Sequence, residues 1–500
     1  MITINQKPAY KLLPAGQEII YTIGENTNLL TSSAIQNAKI ILTLTVANDS
    51  SHTDVIFTSQ FKAAPNSAGV CMFDIGQILE NGVSPTQSGM FATNPSSIST
   101  WQNTIFTETR TYHSIHNIDK FAFGKNCGKY VKSEFQIEYL GADPNNPNVV
   151  SINQNMSAQD ELFVFNGYLN PTDLLNWPNN LTNDFGYDLT PYMLQNLADT
   201  PAGGYITNAP KDQYATINDY GTFAFFNGMN TFDFSFFVGS SSPPVGYKFT
   251  VKEIRIILRD SNNVQLGSTI TMTNSQLNGG WSGIAGTGDD ATNFTSQTKF
   301  LFAGVFPANL RGWSADAILH IANTSYYQIQ AYDQDDLPLG EEYRIHIVKE
   351  CLYPPVRIAW LNKFGAWDYY TFLKKSSKNL KSKRKEYTKL RGTWNEAVYN
   401  PNRPTGGQMN YLVQTNETIK VNTDYITESE AEWLQELFNS QQMYIVNDYH
   451  FNSGVNNINR FVEPVILTTS SYKVKTTIND KLIQYTFDFK RNADRRTQRA

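Results

Sequence analysis

The chain reads as mainly β, a multi-domain set of antiparallel β-sandwiches or open barrels with a few short helices. Three observations carry that expectation. Many stretches alternate apolar and polar residues at the period of two that a half-buried strand requires. Clusters of Asn, Asp, Ser and Gly punctuate those stretches as turns. Aromatic residues reach 13% of the 500, with 30 Phe and 27 Tyr, while charged residues stop at 17%, under the roughly one quarter usual in soluble domains. That balance excludes a coiled coil, which needs Ala, Glu, Lys and Leu in bulk. It also opposes intrinsic disorder, because so many rings can bury a large core.

In chain order, residues 39–46 place Ile40, Leu42, Leu44 and Val46 on one face and Thr43 and Thr45 on the other. Asn48 to Ser51 form a polar turn, and a turn of helix is expected from Asp74, with Ile75, Ile78 and Leu79 facing in. Residues 134–140 read as a strand and 141–148 (GADPNNPN) as a linker or long turn. Thr190 and Pro191 open another helical turn, since proline is tolerated at the first helical position. Residues 201–210 and 239–244 read as loops. Ile254, Ile256 and Leu258 alternate with Arg255 and Arg259, and 260–263 turn the chain back. A hairpin pairs 325–331 with 342–348 around 333–340, with Tyr343, Ile345 and Ile347 inward. The best helix is 428–439: Thr427 and Glu430 have capping-box spacing, and Ala431, Leu434, Leu437 and Phe438 make an apolar stripe. It sits between strands at 418–421 and 443–446. Ile483, Tyr485, Phe487 and Phe489 form a last inward row after the turn at Asn479 and Asp480.

The length fits two to four domains at about 100–200 residues each. The expected division is 1–145, an N-terminal β domain; 146–345, one or more central β-sandwiches; and 346–500, a β module with the helix. Segments 39–62 and 252–273 share a strand–turn–strand layout, but no fixed-period repeat is evident. Cys71, Cys127 and Cys351 are too few and too scattered for a disulfide framework or a zinc knuckle. The N-terminus shows no charged region followed by an apolar one, so no secretory signal is expected. No apolar run approaches the 18 or so residues that cross a bilayer.

Motifs for chemistry are sought and not found. Gly279 to Gly283 (GGWSG) approaches a nucleophile elbow but lacks the second glycine spacing. Its continuation to Gly288 lacks the Lys-Ser/Thr and the βαβ context of a phosphate loop. His113 and His116 are the one close pair among six histidines, without a third ligand at a recognised spacing. His346 alternates with the apolar face of its strand and points to solvent or a neighbouring domain. Asp333, Asp335 and Asp336 offer oxygens of the kind calcium takes, without the glycine and terminal Glu of an EF-hand loop. A polar turn explains them better, and Asp289 and Asp290 likewise. No local signature favours the paired carboxylates of a glycosidase. No metal, no cofactor and no enzymatic activity are expected.

Net charge is −5 overall, but residues 341–500 carry +7 and the first 340 carry −12. The most unusual stretch is 374–391, KKSSKNLKSKRKEYTKLR. Its basic residues are Lys374, Lys375, Lys378, Lys381, Lys383, Arg384, Lys385, Lys389 and Arg391, against one acid, Glu386. It follows the aromatic run Trp367, Tyr369, Tyr370 and Phe372. Such a segment can be a solvated hairpin, an arm that pairs with an acidic patch on another protein copy, or a basic arm that tracks a nucleic-acid backbone. Arg491, Arg495, Arg496 and Arg499 form a second, weaker basic tract.

Three segments carry a resemblance. They are residues 38–79, ending in FKAAPN and FDIGQIL; residues 347–372, with IVKEC and VRIAWLNKFGAWD running into YYTF; and the helix at 428–439 followed by 462–490 and the terminal arginines. Together they resemble a virion structural, tail-associated protein family of tailed phages infecting Bacteroidetes-type hosts, including crAss-like phages. Residues 90–340 are the most divergent part. The resemblance implies a C-terminal β-sandwich-plus-helix module like those of tail-tube and distal-tail subunits, a place in the virion tail after synthesis in the host cytoplasm, and no catalytic residues. It implies a ring-forming structural protein whose partners are copies of itself and other tail proteins, with nucleic acid only where a ring lines the DNA channel, and no membrane. Charge of opposite sign at two ends suits head-to-tail contacts. The alternative is a receptor- or glycan-binding adhesin of the virion, using aromatics such as those in 220–226 and 232–237 as stacking surfaces. A polysaccharide-degrading enzyme is a more distant rival.

Overall fold

The computed structural model describes residues 2–25, 36–85, 121–124, 126–140, 150–170, 174–179, 184–197, 200–228, 250–274, 299–333, 335–349, 352–393, 395–401, 406–446, 462–475 and 483–492. The chain is mainly β, with several antiparallel and mixed sheets and four short α-helices among the described residues. It divides into two compact units: Met1–Lys349 with Leu361–Asp368 and Tyr449–Ile458, and Glu350–Trp360 with Tyr369–Asp448 and Asn459–Ala500.

The first unit opens with strands β1 (Ile2–Gln6), β2 (Leu12–Pro14), β3 (Ile20–Glu25), β4 (Gln36–Ala47), β5 (Val55–Ala63) and β6 (Cys71–Asp74). Helix α1 (Gly76–Glu80) and strands β7 (Phe121–Phe123), β8 (Gly128–Leu140) and β9 (Val150–Phe165) follow. A five-stranded sheet of order β2-β9-β8-β4-β5 and a three-stranded sheet of order β1-β3-β6 share one core. Ile40, Leu42, Leu44 and Val46 are buried there as their alternation predicts, with Tyr21, Phe73 and Phe135 between the sheets. Tyr21 and Phe135 have ring centroids 5.3 Å apart, and Phe73 and Phe135 5.9 Å.

Buried at the edge of this core, Asp160 on β9 accepts from Lys7 Nζ at 3.3 Å, Lys11 Nζ at 2.6 Å and the Tyr21 hydroxyl at 3.0 Å. The helix expected from Asp74 starts two residues later. Asp74 ends β6, and its carboxylate accepts the Gly76 N–H at 3.0 Å and the Ile19 N–H at 3.1 Å. Those bonds tie the strand to β3's approach and delay the helix.

The division expected near 145 falls between β8 and β9. These strands pair antiparallel from Gly128↔Phe165 to Leu140↔Val150, so residues on both sides of 145 build one sheet. Residues 141–148 themselves lie outside the described residues.

The rest of the unit contains β10 (Leu175–Asn179), β11 (Asp184–Tyr187), a 3₁₀ turn at Thr190–Tyr192, β12 (Gln195–Leu197), β13 (Thr200–Ala202), β14 (Asp212–Ala215) and β15 (Phe223–Phe226). Then come β16 (Glu253–Arg259), β17 (Ile270–Thr273), β18 (Phe300–Ala303), helices α2 (Pro307–Arg311) and α3 (Ala315–His320), β19 (Tyr326–Tyr332) and β20 (Pro338–Ile347). A second five-stranded sheet runs β14-β20-β19-β16-β17, and a three-stranded one runs β15-β18-β7. Tyr205, Phe223 and Tyr343 form the aromatic centre, with centroids 4.5 to 5.4 Å apart. Strand β7 therefore joins a sheet built mostly from the central region. Among the described strands two pairings are parallel, β14 with β20 and β2 with β9, which local periodicity cannot reveal.

At Gly365, φ is +77° and an added Cβ would come within 1.7 Å of the Asn166 carbonyl oxygen, so only glycine fits this turn.

The second unit has β21 (Val356–Leu361), β22 (Trp367–Phe372), β23 (Ser377–Lys389), β24 (Gly407–Asn422), α4 (Glu428–Asn439), β25 (Met443–Val446), β26 (Val462–Leu467) and β27 (Thr486–Arg491). Its sheet order is β22-β21-β25-β26-β27-β24-β23. Phe372 on β22 lies 5.9 Å from Phe487 on β27, although three strands separate them in the sheet. The sheet is therefore curled into an open barrel. Helix α4 has the expected capping box, and its Trp433 packs against Trp360 at 5.0 Å and Tyr370 at 6.1 Å.

Two predictions test this packing. Asp160→Ala leaves the Lys11 ammonium and the buried Tyr21 hydroxyl without their shared acceptor, at a cost of about 2–3 kcal/mol, whereas Asp160→Asn keeps an acceptor and costs less; urea unfolding compares them. Burial pushes the Cys127 thiol up to about 12, so iodoacetamide at about pH 8 leaves Cys127 unmodified in the native chain and alkylates it after unfolding. Peptide mass spectrometry reads both states.

Candidate functional site

The basic stretch is a β-strand at the edge of the second unit's sheet. All thirteen residues of β23 are exposed, and they pair with β24 from Ser377↔Lys420 to Lys389↔Gly407. On its other side, among the described residues, β24 pairs with β27 from Thr418 to Asn422. Among the described residues, the pair continues from Glu417 to Gly407 as a two-stranded ribbon, about 34 Å long at about 3.4 Å per residue.

Strand alternation sorts the ribbon's side chains. Lys381, Lys383, Lys385, Tyr387 and Lys389 share one face. Opposite them on that face stand Asn416, Gln414, Leu412 and Met409. The register shifts between Lys385 and Glu386, and the extra residue, Tyr411, has its ring 6.3 Å from that of Tyr387. The Tyr387 hydroxyl lies 3.7 Å from the Met409 sulfur. The other face carries Lys378, Leu380, Ser382, Arg384 and the lone acid Glu386, with Ser382 Oγ and Thr415 Oγ1 2.8 Å apart. Successive lysines on the first face stand about 6.8 Å apart.

The remaining residues of the stretch lie at the ribbon's two ends. Lys374 pairs with Asp424 at 3.0 Å, and the Lys375 carbonyl accepts from Asn422 Nδ2 at 2.9 Å. The Arg391 carbonyl accepts the Tyr399 hydroxyl where the chain turns back. Gly407, with φ +93°, faces the Arg391 guanidinium, which an added Cβ would meet at 3.1 Å. Among the described residues, no carboxylate lies within ion-pair distance of Lys381, Lys383, Arg384, Lys385 or Lys389. Lysines on an exposed edge discourage unwanted strand pairing, and that role accounts for some of them. It does not require an apolar and aromatic patch on the same face.

Sequence reasoning did not find what anchors the ribbon. Where it leaves the sheet, Arg491 on β27 reaches two carboxylates: buried Glu417 on β24, at 3.4 Å, and Glu463 on β26, with Nε 2.9 Å from Oε1. Arg491 appeared in the sequence only as part of a terminal basic tract. Its partners are 74 and 28 residues away.

The other candidates fare differently. Asp333 Oδ1 accepts the N–H groups of Asp335 and Leu337, while Asp336 pairs with Lys252 and Arg255, each at 2.9 Å. That is a polar turn held by ion pairs, as the preferred reading had it. His346 faces solvent, stacked on Tyr214 and 2.9 Å from Asp212. Tyr220 and Phe223–Phe226 are buried, so they are core and offer no stacking surface. His113, His116, Gly279 to Gly288, Asp289, Asp290, residues 232–237 and 239–244, Cys351, Asn479, Asp480, Arg495, Arg496 and Arg499 lie outside the described residues. No group of three or more metal-ligating side chains occurs among the described residues, and no described helix is long and apolar enough to cross a membrane.

No protein-family model and no curated protein matches the chain. Among solved structures it is similar to a Salmonella alpha-2-macroglobulin mutant, at 6% identity and TM-score 0.17, over 85% of this chain and 22% of that one. It is also similar to dimeric latent PorU from Porphyromonas gingivalis, at 8% identity and TM-score 0.18, over 84% of this chain and 32% of that one. The chain thus spans about a fifth to a third of their lengths, and likeness this low carries no argument about function.

The anchor yields a prediction. Arg491→Ala leaves Glu417 buried without its guanidinium and costs about 3–4 kcal/mol. Limited proteolysis of the variant at native temperature cleaves within 390–406 faster than in the parent chain.

Proposed function

We propose that this chain is a structural subunit of a tailed-phage virion, a ring-forming tail component that assembles through head-to-tail contacts between copies. The observation that carries the reading is the β23–β24 ribbon, which leaves its own sheet and presents lysines that have no carboxylate partner among the described residues of the chain. An exposed, charged ribbon with an apolar and aromatic patch on its lysine face suits contact with another molecule. The uneven charge, +7 after residue 340 and −12 before it, supports contact between oppositely charged parts of neighbouring copies. The second unit's single β-sheet with helix α4 packed on it supports the β-plus-helix part of the module that the resemblance implies, though it is one curled sheet where that module is a sandwich. On this reading the protein works by assembly, located in the virion tail, with copies of itself and other tail proteins as partners and without catalysis, metal or cofactor.

Native mass spectrometry with negative-stain microscopy of the same sample tests the reading. Rings or a discrete closed oligomer are expected, and an elongated trimer would point to a fibre or adhesin instead. Replacing Lys381, Lys383, Arg384 and Lys385 together by Glu is expected to abolish the oligomer while leaving the circular-dichroism spectrum of the monomer unchanged. Normal oligomers from that variant would remove the ribbon from the assembly contact.

A further inference from the structure

We infer that the lysine face of the ribbon is a binding surface for single-stranded nucleic acid, with phosphates along β23 and bases over β24. This goes beyond the assembly reading and does not depend on it. The opposite face, with Lys378, Leu380 and Arg384, remains for a neighbouring copy.

Three observations point to that ligand. The first is charge without internal compensation. Lys381, Lys383, Lys385 and Lys389 lie on one face of a fully exposed strand, and no described carboxylate is within ion-pair distance of them. Such a row repels itself, and a polyanion that binds it gains by releasing its own counterions. The second is spacing. Alternate residues of a strand stand about 6.8 Å apart, twice the roughly 3.4 Å that one stacked nucleotide occupies along its own strand. Lys381, Lys383 and Lys385 therefore keep step with every second phosphate, and Lys389 rejoins the row beyond Tyr387. The third is the difference between the two strands. Across from the lysines, β24 presents Asn416, Gln414, Leu412 and Met409 on the same face, and the bulged Tyr411 stands beside Tyr387. The amides of Asn416 and Gln414 carry donors and acceptors that suit base edges. Tyr387 and Tyr411 are exposed rings of the kind on which bases stack. A single strand has the same division, phosphates to one side and bases to the other.

A duplex stacks its bases inside and would leave the rings unused, and an acidic polypeptide would answer the lysines alone. The overall charge of −5 is an average: residues 341–500, which hold the ribbon, carry +7. Charges farther from the lysines than a Debye length of about 8–10 Å are screened.

The test is fluorescence anisotropy of a labelled oligothymidylate of about 20 nucleotides titrated with the full chain across a salt series. The logarithm of the association constant is expected to fall against the logarithm of salt with a slope of about −3, roughly −0.7 for each of the four lysine contacts. Lys383→Gln with Lys385→Gln is expected to halve that slope to about −1.4 and to weaken binding at about 0.1 M salt at least about tenfold. Tyr411→Ser is expected to weaken binding at least about fivefold through lost stacking while leaving the slope unchanged, a split that a merely structural ribbon does not give. Lys378→Gln with Arg384→Gln, on the opposite face, is expected to leave the slope at about −3. Circular dichroism and thermal unfolding of every variant show that it is folded. Absence of salt-sensitive binding by the parent at about 100 µM in about 50 mM salt overturns the inference. Equal affinity for a duplex of the same length, unmoved by Tyr411→Ser, assigns the face to a duplex backbone, and equal affinity for poly-glutamate assigns it to an acidic polypeptide; either overturns it. These last three measurements on the parent keep the inference falsifiable if a variant unfolds. Native mass spectrometry of the same samples separates the two readings. A chain that binds the oligonucleotide and stays monomeric at every concentration overturns assembly alone, and oligomers that do not bind it overturn this inference alone.

Discussion

The ribbon depends on a guanidinium held between two carboxylates. Arg491 joins buried Glu417 to Glu463 at the row where, among the described residues, β24 stops being an inner strand and becomes half of a two-stranded ribbon. A carboxylate taken out of water is costly unless a counter-charge accompanies it. Arg491 supplies that charge and ties together β24, β26 and β27, so the root of the ribbon is fixed while its outer part is exposed. The direction of the lysine face is set at that root.

The same logic recurs at smaller scale in the first unit. Asp160 gathers Lys7, Lys11 and Tyr21 and so fixes the chain before β3 against β9. Between such polar pins the energy comes from apolar burial. Rings of Tyr21, Phe73 and Phe135 fill one sandwich, and Tyr205, Phe223 and Tyr343 the other.

Much of the fold was legible because its signals are local. Ile254, Ile256 and Leu258 alternate in sequence and are all buried. The helix at 428–439 announced itself through Thr427 and Glu430, whose reciprocal hydrogen bonds form as the spacing predicts. The basic stretch at 374–391 was legible as composition, with hairpin, protein partner and nucleic acid all open. Its conformation was not. Lys381, Lys383 and Lys385 alternate with Ser382 and Arg384, so charge lies on both faces and no amphipathic period marks a strand. Only pairing with β24 makes it one.

Sequence by itself determined the strands that alternate cleanly, such as those through Ile40–Val46 and Ile254–Leu258, where the main helix begins and ends, and that a concentrated positive charge follows the aromatic run at Trp367 to Phe372. These follow from backbone geometry, because a period of two or a capping box acts within a few residues. Tertiary structure decided what joins what. It placed β9 beside β8 across the division expected at 145, and β7 beside β18. It paired β2 parallel to β9, and set Arg491 against Glu417 at a separation of 74 residues. Hydrogen-bond partners in sheets and counter-charges for buried groups are chosen by distance in space, and a linear pattern carries no record of that choice.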